Sequence, residues 1–218
     1  MNQILFQCNF ENSNSKNING KNKFIIILVF AISLIIIAIS IYFSTKYKSS
    51  QKEKLSKDLV SNFNIITLYS NSIDNYSTTE LTVEEETEPF VIGLIQIDKI
   101  GLTYPILSSS SEELLEISPC RFYGPMPNEV GNLCIAGHNY IDNKHFGKIH
   151  YLKIGDTIKI FDLSSNFVEY TIYDKKEIRA DDLSCTNQET NGLREITLIT
   201  CNNIKGNRVC IKAREKGK

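Results

Sequence analysis

After a polar start the chain carries twenty consecutive residues without a charge, Phe24 to Phe43 (FIIILVFAISLIIIAISIYF). At 1.5 Å per residue this run makes a helix about 30 Å long, the thickness of bilayer hydrocarbon. It has no polar face, so it does not suit the core of a globular domain. Its two serines, Ser33 and Ser40, are able to bond back to helix carbonyls. A cleaved signal peptide has a shorter apolar stretch followed by small residues, whereas this one ends in Ile41-Tyr42-Phe43. The pattern predicts one uncleaved transmembrane anchor over 24–43, behind an N-terminal tail of residues 1–23.

From residue 44 to about 88 the apolar positions thin out, which predicts a stalk. Within it Leu55, Leu59 and Phe63 recur at helical spacing and predict a short helix over Lys52–Asn64. The acidic run Glu84–Glu88 reads as solvated linker.

From Pro89 onward the texture changes to short runs rich in Ile, Val, Thr and aromatics. Strands are predicted at Val91–Ile97, Thr103–Leu107, Asn132–Ala136, Thr157–Phe161, Phe167–Tyr173, Ile196–Cys201 and Val209–Ala213. Turn signals such as Ile100-Gly101, Gly155-Asp156 and Ser164-Ser165-Asn166 separate them. A short helix is expected near Ser110, which has capping-box spacing to Glu113. Many short strands with few helices predict a mainly β sandwich or barrel over residues 89–218.

Composition changes this picture little. There are 24 basic and 25 acidic residues among 218, a net charge of -1, so nothing marks a nucleic-acid partner. Charge placement matters more. Lys46, Lys48, Lys52, Lys54 and Lys57 follow the anchor, against Lys16, Lys21 and Lys23 before it. The positive-inside rule alone would therefore keep the large C-terminal part in the cytoplasm. The six cysteines are too sparse for a disulfide-stapled scaffold. Five follow the anchor, and Cys134 and Cys210 sit in apolar strands as core residues.

Several chemistries have no motif here: no phosphate-binding GxxxxGK[ST], no GxGxxG, no HExxH and no CxxC pair. Cys and His spacing is also irregular for zinc. One constellation remains. Cys201 closes a predicted strand and Arg208 opens the next, with a polar turn between. A hairpin would set their Cα atoms about 5 Å apart, where a permanently charged guanidinium favours a thiolate or holds a carbonyl. His138 closes the run Leu133–Gly137 at a strand end, and His is the usual proton partner of a cysteine nucleophile. His145 and His150 fall in a loop-like stretch and read as structural or surface residues. A cysteine hydrolase such as a cell-wall peptidase or amidase and a non-enzymatic anchored β-domain are both compatible with these residues.

The constellation resembles the sortases, surface cysteine transpeptidases of Gram-positive bacteria. Thr197-Leu198-Ile199-Thr200-Cys201 is similar to their TLxTC signature, and Ala136-Gly137-His138 to their strand-end histidine. Arg208 falls where the family has its arginine, and Gly131-Asn132-Leu133 resembles the approach to the site. The likeness covers roughly residues 90–214. Cys120-Arg121-Phe122-Tyr123-Gly124 departs from the more Gly- and Pro-rich stretch of the family and leaves classes B and D both open.

The resemblance implies an eight-stranded β-barrel with His138, Cys201 and Arg208 as catalytic residues and Thr200 in support. It also implies a Leu-Pro-x-Thr-Gly-like sorting signal on surface proteins as substrate. The acceptor would be an amine of a cell-wall precursor or a pilin. No cofactor or metal is implied. The catalytic domain would lie outside a single-pass membrane anchor, against the lysine count.

Overall fold

The computed structural model describes residues 20–70, 90–202 and 206–217. The chain divides into two compact units, Met1–Ser49 and Ser50–Lys218. The acidic run 84–88 and most of the N-terminal tail lie outside the described residues.

One helix, α1 (Gly20–Ser70), takes in the predicted anchor and runs on without a break. Nothing in residues 44–70 stops it, because that stretch has neither Pro nor Gly. In the first unit the large apolar side chains from Phe24 to Phe43 are exposed around the whole circumference. The most apolar 18-residue stretch has a mean hydropathy of 3.3, enough in length and composition to cross a membrane. In the second unit the same helix turns a narrow face to the barrel. Ser56 and Phe63 are buried, while Leu55 is 46% exposed. The stripe expected through Leu55, Leu59 and Phe63 is therefore rotated toward Ser56, and the short separate helix is part of α1.

The remaining chain forms a closed eight-stranded barrel. Its strands are β1 (Val91–Ile97), β2 (Leu102–Leu107), β3 (Cys120–Tyr123), β4 (Gly131–Ala136), β5 (Thr157–Asp162), β6 (Phe167–Ile178), β7 (Arg194–Cys201) and β8 (Arg208–Glu215). Their order around the barrel is β1-β2-β3-β4-β7-β8-β6-β5, closed by antiparallel pairing of β5 with β1. Two pairs are parallel, β2 with β3 and β4 with β7. A single-turn helix α2 (Glu112–Leu115) interrupts the sheet after β2. Its cap is Ser111, one residue beyond the expected Ser110, and the Leu114 amide donates to the Ser111 hydroxyl at 3.3 Å.

Strand alternation sorts the side chains of the central pair. Leu133 and Ile135 of β4 and Ile196 and Leu198 of β7 point inward and join the main core. Asn132, Cys134, Thr197 and Ile199 occupy the opposite face, where the segment between β6 and β7 covers them. There Cys134, Ile178, Cys185, Ile199 and Cys210 make a second buried cluster.

Asn132 ties that covering segment down. Its amide Nδ2 donates to the carbonyls of Cys185 and Asn187, each at 3.0 Å, and its Oδ1 accepts from the Thr197 hydroxyl at 2.8 Å. The side chain is fully buried, so each of these bonds replaces one that water would have made.

Removing the amide should therefore cost more than a hydrogen bond. Asn132→Ala takes the amide donor from the Cys185 and Asn187 carbonyls and leaves the buried Thr197 hydroxyl only its longer 3.3 Å bond to the Cys185 carbonyl, a penalty of about 1–3 kcal/mol. Thermal melting of the full chain in detergent should show a drop of several degrees, and Asn132→Asp should not restore it, since a carboxylate cannot donate to the two carbonyls. A melting temperature within a degree of native for Asn132→Ala would remove this anchoring role.

Candidate active site

Parallel pairing of β4 and β7 sends both strands out of the barrel at the same rim. The last register pair is Ala136↔Ile199, and the Gly137 amide continues the ladder to the Ile199 carbonyl at 3.1 Å. The Thr200 hydroxyl, buried at this seam, donates to the Gly137 carbonyl at 2.6 Å. One residue further along each strand come His138 and Cys201, on neighbouring strands whose axes lie about 4.8 Å apart. Asn139 then fastens the pair from the far side, its Nδ2 donating to the Cys201 carbonyl at 2.7 Å.

On the other flank β8 runs antiparallel to β7, and its first residue completes the group. Cys201 and Arg208 are register partners. Arg208 in turn faces Ile178 of β6. The predicted hairpin mouth is thus present, with His138, Cys201 and Arg208 on three adjacent strands at one rim. Thr200 sits behind them as a clamp between β4 and β7.

The thiols differ sharply. Among the described cysteines Cys201 is exposed, while Cys120, Cys134, Cys185 and Cys210 are buried free thiols. Burial pushes Cys120 and Cys134 up to about 12, far from thiolate formation. A hydrogen bond between Cys185 and Cys210 splits that pair, drawing Cys185 down and Cys210 up. Cys185 is nonetheless 1% exposed, so its lowered value meets no substrate. Exposure and strand-end placement together single out Cys201.

His138 is half-buried, and loss of water lowers its pKa below the ordinary histidine value, against a pull upward from Glu112. That loss of water favours the uncharged imidazole. The loop that follows is folded back against it. The Phe146 amide donates to the His138 carbonyl at 3.0 Å, and Asn139 bridges to His145. Gly137 allows this close return. A Cβ there would lie 2.7 Å from the Phe146 ring.

An aromatic column stands behind the imidazole. The His138 and Tyr140 rings are 5.2 Å apart, Tyr140 and His145 5.1 Å, and His145 and Tyr104 5.0 Å. The reading of His145 as structural holds, and its exposure is only 2%. What the sequence did not indicate is that Asn139, Tyr140 and His145 all back the site. Among the described residues no group of three or more His, Cys, Asp or Glu side chains could hold a metal.

The geometry can be set beside known proteins. The sortase-domain profile matches residues 95–216, most of the barrel and all three rim residues.

The chain belongs to the sortase family.

Sortase A of Bacillus anthracis is 32% identical over 139 residues, 63% of this sortase and 65% of that relative. The chain thus spans a little under two thirds of that relative's length. A solved sortase D5 transpeptidase of Clostridium perfringens is 29% identical, with a TM-score of 0.57 over 77% of this chain and 99% of the other. The structure of Clostridium perfringens sortase C with the C-terminal cell wall sorting motif shares the fold at 21% identity and a TM-score of 0.53, covering 83% of this chain and 100% of the other. The expected sortase-type barrel is the fold observed.

The buried histidine behind the site gives this sortase a pH signature. Burial, with repulsion from His138 adding to it, lowers His145 to about 4 from 6.5. Because the folded value is depressed, its contribution to stability is fully present above pH 6.5 and is lost as pH falls toward 4. The loss by pH 5 is about 2 kcal/mol. His145→Gln, which does not titrate, should remove most of that slope when unfolding is followed from pH 7 to pH 5. Parallel pH profiles for the native chain and the variant would contradict this burial.

Proposed function

We propose that this sortase is a membrane-anchored cysteine transpeptidase that cleaves a Leu-Pro-x-Thr-Gly-like sorting signal. The carrying observation is the one exposed thiol among the described residues, at a rim between a strand-end histidine and a strand-start arginine. Cys201 passes its proton to His138, and the sulfur bonds the threonine carbonyl carbon. Collapse breaks the carbon–nitrogen bond, His138 returns its proton to the leaving amine, and a thioacyl enzyme remains. An incoming amine then reverses the sequence. Its nitrogen bonds the acyl carbon while His138 takes its proton, and the carbon–sulfur bond breaks. The proton finally returns to the sulfur.

Arg208 supplies a planar, positively charged fork of donors. A guanidinium beside the reacting carbonyl steadies the negative oxygen of each tetrahedral intermediate and orients the signal. Thr200 acts through position alone, holding the His138 strand end against the Cys201 strand.

The arrangement along the chain is proposed as a tail over 1–23, an anchor over 24–43, a stalk over 44–88 and the catalytic domain over 89–218. The domain is placed on the outer face, where surface proteins carrying the signal and amine acceptors of the wall or a pilus are met. Protease applied to intact cells should then remove the domain. Protection until lysis would put it in the cytoplasm, as the lysines after Phe43 suggest.

The chemistry is tested by mixing the full chain in detergent with a sorting-signal peptide and an amine and weighing the products. Native protein should show a thioacyl adduct on Cys201 and an amine-linked product, and Cys201→Ala neither. His138→Ala and Arg208→Lys should lower transpeptidation at least ~100-fold, as loss of acid–base catalysis or of an oxyanion contact requires. Both should melt like the native chain, because neither side chain belongs to the buried core. Near-native rates for Arg208→Lys would show that the planar guanidinium is not used.

A further inference from the structure

The mechanism uses one thiol and leaves a buried group of three unused on the same face of the sheet. Cys134 of β4, Cys185 of the segment 179–193 and Cys210 of β8 pack together with Ile178 and Ile199. Strand register places them. Cys134 is paired with Thr197, Cys210 with Ile199, and Arg208 with Cys201. Alternation therefore puts Cys210 on the face that carries Cys201 and Arg208, about 6.6 Å along the strand from Arg208. Cys134 and Cys210 stand on strands separated by β7, about 10 Å apart, which no disulfide spans. Cys185 lies over β7 between them. Its carbonyl accepts from Asn132 Nδ2 at 3.0 Å and from the Thr197 hydroxyl at 3.3 Å, and its thiol shares a hydrogen bond with Cys210. Any disulfide in this group must include Cys185, and Cys210 is the partner already in reach.

The segment that carries Cys185 is held unevenly. Its second half is tied to the start of β4, away from the rim. There the Gln188 side chain accepts from the Asn132 amide at 3.0 Å and donates to the Asn132 carbonyl at 2.9 Å. Its first half leaves β6 at Ile178, the register partner of Arg208, and so runs beside the rim. In that half the polar side chains bond within the segment. Arg179 pairs with Asp181, and Asp182 accepts from the Ser184 amide at 2.8 Å. Leu183 is 56% exposed. Between the tied half and the loose half, the Cys185 side chain is the plug that seats the segment against β8.

We propose that Cys185 and Cys210 form a thiol–disulfide latch that reversibly fixes the segment 179–193 to β8 beneath the rim. The oxidant is a low-molecular-weight disulfide, which reaches Cys185 when the loose half lifts. The Cys185 sulfur bonds one sulfur of that disulfide, and the other leaves as a small thiol carrying the Cys185 proton. Cys210 then attacks the Cys185 sulfur and displaces the second small thiol, which takes the Cys210 proton. Two protein thiols are oxidised, and one disulfide is reduced to two thiols. The hydrogen bond from Cys210 that draws Cys185 down makes Cys185 the first to react. The effect on the site rests on the transpeptidase reading. A sorting signal must meet Cys201 and Arg208 at the edge where the loose half is then fixed, so the latched state is the less receptive one.

The test uses the full chain in detergent with Cys201→Ala, which keeps the rim thiol out of the exchange. One sample is incubated with oxidised glutathione and one with reduced glutathione. Peptide mapping should find a Cys185–Cys210 bond in the oxidised sample only. Amide hydrogen exchange across 179–193 should slow at least ~10-fold there, and dithiothreitol should reverse both changes. Adding Cys210→Ala should abolish the bond and the protection, while adding Cys134→Ala should keep both. A Cys134–Cys185 bond, no internal bond, or unchanged exchange in the bonded form would overturn the latch. Affinity for a sorting-signal peptide, measured on the same samples, should be at least ~3-fold weaker in the oxidised one. Equal affinities would overturn the effect on the site. A peptide that binds neither sample would instead overturn the transpeptidase reading, while mapping and exchange still decide the latch.

Discussion

The site depends on one piece of backbone pairing, the parallel ladder between β4 and β7. Antiparallel neighbours would send His138 and Cys201 out at opposite ends of the barrel. Parallel neighbours bring their C-terminal ends to one rim, and the Ala136↔Ile199 register sets them level there. Such pairing is unforgiving. A slip of one residue turns every side chain of a strand to the other face, which would move Cys201 into the core and Ile196 out of it. The clamp between the Thr200 hydroxyl and the Gly137 carbonyl sits at the point where such a slip would begin.

Much of this was legible in the residues, and the reasons are local. Seven strands could be placed because β-branched runs lie between turn residues, and β1 was placed to the residue. The rim was legible because Cys201 ends such a run and Arg208 begins one. The strand Cys120–Tyr123 was missed. It is four residues long, includes Arg121, and is held by one register pair to β2 and an irregular pairing to β4, so its own composition says little. The latter part of β6 was missed for a different reason. Asp174, Lys175, Lys176 and Glu177 read as the end of a strand, yet their backbone stays paired to β8 through Ile178. Lys175 reaches two loop carbonyls, and Lys176 pairs with Asp174 of the same strand.

The support for His138 was the least legible part. Nothing in the order Asn139-Tyr140-Ile141-Asp142-Asn143-Lys144-His145 announces a loop that returns to its own strand end. The return depends on His145 at a positive φ of 47° and on the absence of a side chain at Gly137. These are tertiary facts. The same holds for the outer face of β4 and β7, where Asn132 and Cys134 break the apolar alternation in sequence but are covered in space by a segment fifty residues later.

The uneven burial of the thiols has a practical meaning. Among the described residues the folded chain presents one thiol to solvent and keeps four in reserve. A bulky alkylating reagent would therefore modify the intact barrel at a single place, and each further equivalent taken up would record opening of the sheet. Oxidants would follow the same order. A peroxide reaching this protein meets the Cys201 thiol before any of the four buried ones, so the proposed nucleophile would be oxidised long before the barrel lost its shape.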